Sequence, residues 1–232
     1  MTAPDGTASN HTARHAAAPR RFDTFIFDLD GTLLDTLPDL VTMTNMTLAH
    51  LGWPERTRDE VLSFVGNGAK ALMVKAVPAG LPDEQVEAAL THWKSLYAEH
   101  GHTLTAPYPH VMGMLAELRR RGCKTAILSN KFDAGVKDVE ARYFPGLFDM
   151  ALGEGPVPRK PDPAGLLHVI AELDANPACV AYFGDSAGDM ATAHAAGVFA
   201  VGVTWGYQPR EALIEAGADM LLDSADQILQ LA

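Results

Sequence analysis

From Tyr108 onward, short apolar stretches alternate with segments of helical period, and that alternation limits the possible fold more than any other feature of the chain. It predicts a helix over His110–Arg121, a strand over Lys124–Leu128, a helix near Phe132–Tyr143 and a short strand around Met150–Leu152. A helix over Ala164–Leu173, strand Cys179–Phe183, helix Ala187–Ala196 and strand Phe199–Val203 follow. A helix after Pro209, strand Met220–Leu222 and a helix after Ser224 complete the series. Such alternation with short connections gives a parallel sheet with helices on both faces. Upstream, Phe22–Asp30 reads as one more apolar strand, rich in aromatics. From Asp35 to about Pro107 the pattern is helical alone, with apolar residues three and four apart in Leu40–Leu51, Arg58–Phe64, Ala69–Val77 and Pro82–His100. The expected architecture is therefore an α/β core (22–35 and 108–232) interrupted by an all-helical insertion (36–107), with hinges near Asp35 and Pro107. Residues 1–21 are rich in Ala, Thr, His and Pro without periodicity, and are expected to form a disordered leader.

Charge narrows the function. The 18 basic and 29 acidic side chains leave a net charge of −11, and no stretch supplies the basic face that a nucleic-acid or anionic-membrane binder uses. No apolar run approaches the roughly 18 residues of a membrane helix. The two cysteines, Cys123 and Cys179, have apolar neighbours and cannot build a disulfide framework, so buried thiols in a reducing cytoplasm are expected.

Ligands of an open parallel sheet bind at the carboxyl ends of its strands, and here those ends are acidic. The first strand runs into Asp28-Leu-Asp30-Gly-Thr32, the next into Ser129-Asn130-Lys131, and the strand from Cys179 into Gly184-Asp185-Ser-Ala-Gly-Asp189. Lys160-Pro-Asp-Pro163 precedes a helix. Carboxylates gathered on one edge repel one another, and a cation together with an anionic ligand resolves the conflict. Hard oxygen donors suit Mg²⁺ that also binds a phosphate oxygen. Asp28 and Asp30, two apart on an extended chain, face the same side, so one can attack phosphorus while the other handles the leaving oxygen's proton. Ser129 and nearby backbone N–H groups can donate to phosphate, and Lys160 offers a positive charge. Asp185 suits the metal, and Asp189 can ligate it or orient Lys160.

Asp28-Leu-Asp-Gly-Thr-Leu-Leu-Asp-Thr36, Ser129-Asn-Lys131, Lys160-Pro-Asp162 and Gly184-Asp-Ser-x-x-Asp189 resemble, in order, the four motifs of the haloacid dehalogenase-like phosphatases. The insertion resembles that family's helical cap. Val65-Gly-Asn-Gly68 and Gly202-Val-Thr-Trp-Gly-Tyr207 resemble its phosphoglycolate phosphatases, although His110 stands where those have a small residue. The resemblance implies a Rossmann-like core and a Mg²⁺-dependent phosphatase acting on a small phosphorylated metabolite, 2-phosphoglycolate first, through an aspartyl-phosphate. It makes Asp28 the nucleophile and Asp30 the general acid/base. Phosphate falls to Gly31, Thr32, Ser129, Asn130 and Lys160. The metal falls to Asp28, the Asp30 carbonyl and Asp185, with Asp189 beside them. Gly66, Asn67 and Gly68 become a cap loop over the substrate, although a plain turn between helices explains them equally well.

Other readings compete. Gly184-Asp-Ser-Ala-Gly188 matches the nucleophile elbow of α/β-hydrolases, but the later His194 shares a helix with Ser186 and cannot swing back as a base. Gly66-Asn-Gly-Ala-Lys-Ala71 matches a dinucleotide pattern but follows a helix, not a strand. Lys131 reads as substrate contact or as a solvent-facing helix start, and Asp35 as a helix cap, more than as a residue that fixes the hinge. Trp53, Trp93 and Trp205 read as packing residues. A β-phosphoglucomutase-like phosphomutase and a pyrophosphate or nucleotide phosphatase share the four motifs. A non-catalytic binding module has no need of the complete set of aspartates.

Overall fold

The computed structural model describes residues 22–232, so the expected leader over 1–21 lies outside the described residues. Six parallel strands form the sheet: β1 (Thr24–Phe27), β4 (Lys124–Phe132), β5 (Met150–Glu154), β6 (Val180–Gly184), β7 (Phe199–Val203) and β8 (Met220–Leu222). Their order is β5-β4-β1-β6-β7-β8. The chain thus builds outward from β1 on one side, then crosses back to build outward on the other. The crevice beyond β1, between β4 and β6, is the switch point where such sheets bind ligands.

All four residues of β1 are buried, as a strand covered on both faces requires. Phe25 and Phe27 point to one face, packing with Phe183 and with α5 (Val111–Arg120) and α6 (Asp133–Tyr143). The Phe27 and Phe183 rings stack at 4.8 Å between centroids, which adds about 0.5–1.5 kcal/mol beyond the area they bury. Ile26 points to the opposite face, against α7 (Ala164–Glu172), α8 (Ala187–Ala196) and α9 (Arg210–Glu215). The last expected helix is a 3₁₀ segment, Ala225–Gln230. Among the described residues no helix is long and apolar enough to cross a membrane.

Between β1 and α5 lie α1 (Leu37–His50), α2 (Arg58–Phe64), α3 (Gly68–Ala76) and α4 (Asp83–His100). These bury their own cluster, built on Leu37, Leu40, Met43, Val61, Leu72, Met73, Trp93 and Tyr97. Thr57 and Glu60 close a capping box that fixes where α2 begins. The expected hinges are paired with each other: β2 (Leu34–Asp35) and β3 (Ala106–Pro107) form an antiparallel ribbon. Strands of two residues carry no periodicity, so the sequence does not announce them. Just beyond the ribbon, His110 adopts φ 68°, the left-handed conformation that a glycine would take freely.

The strand expected to stop at Leu128 continues to Phe132 through a register shift after Leu128. Between the pairs Leu128↔Leu152 and Phe132↔Glu154, β4 has two more residues than β5. This bulge buries Ser129, Asn130 and Lys131 at the head of the sheet. Gly153 permits it, because a Cβ there would lie 2.5 Å from the Lys131 carbonyl.

Candidate active site

The chain ends of β1, β4 and β6 converge on a cavity of about 350 Å³. Its floor holds Asp28, Asp30, Ser129, Asn130, Lys131, Lys160 and Asp185. Its roof comes from the helical segment through Leu40, Leu62, Ser63, Leu72, Trp93 and the Val65–Ala69 turn. Trp93, expected as a packing residue, is buried with its ring stacked on Tyr97, and it also lines the roof. Trp205 donates its indole N–H to the Thr32 carbonyl at 2.9 Å.

Oxygens of Asp28, Asp185 and Asp189 lie within 4.8 Å of one another, and all three residues are buried. Lys160 Nζ stands 2.9 Å from Asp28 Oδ1 and 2.6 Å from Asp189 Oδ1. Burial opposes charge on that amine, but the Asp189 and Asp28 carboxylates outweigh it and hold its pKa well above the usual lysine range. Burial pushes Asp28 up to about 7, against the pull of Lys160 and with the push of Asp189. Burial, then the Asp189 and Asp28 charges, push Asp185 well above the carboxylate range. Among the described residues Asp185 has no ion-pair partner. It accepts the Tyr207 N–H at 2.7 Å and the Thr32 hydroxyl at 3.2 Å. A cluster of hard oxygen donors with one side short of positive charge fits a small divalent cation.

Asp30 lies apart from that cluster. Its Oδ1 accepts the Thr36 hydroxyl at 2.8 Å, and Lys131 Nζ stands 3.3 Å from Oδ1 and 3.4 Å from Oδ2. Lys131 is buried, with its ammonium over the Tyr97 ring at 4.7 Å from the centroid. Burial opposes its charge, but Asp30 and Tyr97 keep it above the usual lysine range. The expected solvent-facing helix start at Lys131 is therefore wrong. The bulge turns this residue inward, and a tyrosine of α4 covers it.

Some expected phosphate ligands have side chains engaged elsewhere. The Thr32 hydroxyl goes to Asp185. Asn130 donates to the Gly66 and Lys160 carbonyls at 2.9 and 3.2 Å and accepts the Lys160 N–H at 2.8 Å. Asn130 thus ties the Gly66–Gly68 turn to the Lys160 loop. Arg159 adds a bond to the Asn67 carbonyl at 2.7 Å. Ser129 Oγ accepts the Lys131 N–H at 3.2 Å and faces the cavity. Gly31 backs onto Asp185: at φ +88°, a Cβ there would lie 2.3 Å from Asp185 Oδ2.

Both oxygens of Asp189 are engaged. One oxygen takes Lys160, and the other accepts the Ser186 hydroxyl and N–H at 2.6 and 3.1 Å in a capping box at the start of α8. Ser186 is accordingly a helix cap and not a nucleophile. His194 sits 3.8 Å from Asp219, a partner with no part in the cavity. Asp35 accepts the Leu37 N–H at 3.3 Å, but the cap position of α1 belongs to Thr36, and Asp35 lies in the hinge ribbon opposite Ala106. Of the free thiols, Cys123 is buried and Cys179 half-buried.

Two tyrosines escaped notice as site residues. Tyr182, read as a core residue of its strand, brings its hydroxyl within 3.1 Å of both Lys160 Nζ and Asp189 Oδ1. A phenol in an apolar run was the available signal, since a buried hydroxyl needs a partner. Tyr207 marked a resemblance but carried no role. Its phenol lies 3.0 Å from Thr36 Oγ1 while its N–H holds Asp185.

The model of the haloacid dehalogenase-like hydrolases matches residues 25–203, which include β4, β6 and all of β1 but its first residue. The chain belongs to this hydrolase family. Among curated members it is similar to the phosphoglycolate phosphatase of Pasteurella multocida, at 35% identity over 88% of this chain and 96% of that one. It is similar to phosphoglycolate phosphatase 1 of Pseudomonas aeruginosa, at 35% identity over 89% of this chain and 78% of that one. A solved family structure, described as a predicted phosphoglycolate phosphatase from Haemophilus somnus, superposes with a TM-score of 0.85 at 29% identity, covering 90% and 97% of the two chains. Another, CbbY of Rhodobacter sphaeroides in complex with phosphate, superposes at 0.71 with 26% identity over 89% and 96%.

Proposed function

We propose that this protein is a Mg²⁺-dependent phosphatase of small phosphomonoesters, with 2-phosphoglycolate the first substrate to test, working through an aspartyl-phosphate on Asp28. The observation that carries the reading is the meeting of Asp28, Asp185 and Asp189 oxygens within 4.8 Å beside a lysine that already contacts two of them. The names of the curated relatives support the substrate class.

Asp28 attacks phosphorus from the cavity floor. Lys160, its charge fixed by Asp189, binds a phosphoryl oxygen and stabilises the negative charge as it spreads in transfer. The Ser129 hydroxyl donates to another oxygen. Asp28, Asp185 and the Asp30 carbonyl would hold Mg²⁺, with Asp189 behind them, and the bound ion would offset the repulsion between an anionic nucleophile and an anionic ester. Asp30 gives its proton to the departing oxygen. It then takes a proton from the water that hydrolyses the acyl phosphate, so the site returns to its starting state. Residues 36–107 act as a cap whose apolar roof excludes bulk water during transfer. Free thiols at Cys123 and Cys179 support a cytoplasmic setting.

Phosphate release measured over a panel of small phosphorylated metabolites, including β-glucose 1-phosphate, with and without Mg²⁺, tests this reading. Metal-dependent release with 2-phosphoglycolate among the fastest substrates is expected. Conversion of β-glucose 1-phosphate to the 6-phosphate without release would mark a mutase. Full activity after chelation would remove the metal from the account.

A further inference from the structure

The loop after β7 touches both halves of the proposed chemistry. Gly206 packs against Asp185, and a Cβ there would lie 2.2 Å from Asp185 Cβ and 2.4 Å from the Gly31 carbonyl oxygen. The next residue, Tyr207, donates its backbone N–H to Asp185 Oδ2 at 2.7 Å. Its phenol turns the other way, toward Thr36 at the start of α1.

Donor and acceptor bookkeeping fixes the direction of that contact. The Thr36 N–H donates to the phenol oxygen at 2.9 Å. The Thr36 hydroxyl has one proton, and it points to Asp30 Oδ1 at 2.8 Å, so it has none left to give the phenol. The remaining contact, 3.0 Å between Thr36 Oγ1 and Tyr207 Oη, therefore has the tyrosine as its donor. A chain runs Tyr207 O–H to Thr36 O–H to Asp30 Oδ1, each bond polarising the next. Asp30 Oδ1 thereby has a hydroxyl donor as well as Lys131 at 3.3 Å, while among the described residues Oδ2 has Lys131 alone, at 3.4 Å.

We propose that Tyr207 is a positioning residue for the acid/base step: acting through Thr36, it pins Asp30 Oδ1 as a permanent acceptor and leaves Oδ2 as the oxygen that carries the travelling proton. The inference rests on the phosphatase reading and adds to it the division of labour within Asp30. In the first half-reaction the Oδ2–H bond breaks and the proton goes to the oxygen leaving phosphorus. In the second, water gives a proton back to Oδ2 as its oxygen attacks the Asp28 phosphoryl group, releasing phosphate and restoring both carboxyls. The same phenol bridges the root of the α1–α4 segment and the core.

The test exploits leaving groups. An alkoxide departs only with a proton, whereas p-nitrophenolate departs without one, so a defect in proton delivery weighs on the first alone. Tyr207→Phe keeps the ring and removes both bonds of the phenol, the one donated to Thr36 Oγ1 and the one accepted from the Thr36 N–H. Its kcat/KM on 2-phosphoglycolate is expected to fall by roughly tenfold, the scale of a single hydrogen bond, and on p-nitrophenyl phosphate by less than about twofold. Thr36→Val should show the same split and Thr36→Ser should restore the wild-type ratio. Equal losses on both substrates, or none on either, would overturn the inference, the first being what a packing defect gives. The wild type is read first, since a chain that released phosphate from neither substrate would reject the phosphatase reading itself. A wild-type phosphatase with no split in the variants rejects the inference alone.

Discussion

Lys160 Nζ lies 2.6 Å from Asp189 Oδ1, with both groups buried. This contact organises the rest of the site. It fixes the ammonium where it also reaches Asp28 at 2.9 Å, and it balances the negative charge of Asp189 that would otherwise repel an incoming phosphate. A lysine on a Pro-rich loop and an aspartate on the first turn of α8 are thus joined at the head of the sheet.

Removing the amine leaves buried carboxylates without their counter-charge, which typically costs about 3–5 kcal/mol. Lys160→Met is therefore expected to lose roughly that much in urea unfolding of the metal-free protein. Mg²⁺ should recover part of the loss. A variant as stable as wild type without metal would show that the pair has no energetic weight.

The acid cluster also gives the metal-free protein a pH signature. An unfolded aspartate releases its proton near pH 4, whereas burial holds the proton on folded Asp28 up to about 7. Between those values the native chain binds a proton that the unfolded chain has lost. Stability is then greatest at the acid end and falls as pH rises through the window. The direction of the Asp185 shift adds to the same trend. Melting temperature in chelator is expected to drop from about pH 5 to about pH 8, with the gain on adding Mg²⁺ growing over the same range. A metal-free melting temperature that climbed with pH would contradict this.

Gly206→Ala tests the seating of Asp185. A Cβ 2.2 Å from Asp185 Cβ forces the carboxylate or the loop to move, and a displaced ligand or its support typically costs about 10–100-fold in metal affinity. The Mg²⁺ concentration for half-maximal activity should rise by at least about tenfold. An unchanged metal requirement would mean that Asp185 does not hold the ion.

Much of this molecule is legible in its sequence because apolar strands ending in aspartates are local patterns. Phe25 to Asp30 declares both a doubly covered strand and the carboxylates beyond it, and Asp185 and Asp189 follow Val180–Gly184 in the same way. What stayed hidden depends on distant partners. The polar run Ser129-Asn-Lys131 reads as a loop, and only the pairing of β4 with β5 shows that it is a bulge in a continuing strand. Lys131 looks like a solvent-facing cation until Tyr97, on a helix of the insertion, covers it. Tyr207 acts on Thr36 across 171 positions, a separation at which no spacing rule operates. The ribbon of Leu34–Asp35 with Ala106–Pro107 is too short to leave a period.

The central claim is that Asp28 forms a bond to phosphorus, and the phosphate-release rate of Asp28→Asn addresses it most directly. The substitution keeps shape and removes the attacking charge, so a correctly folded variant with turnover lowered by about a thousandfold or more is expected. A folded variant that releases phosphate within about tenfold of the wild-type rate would contradict the account.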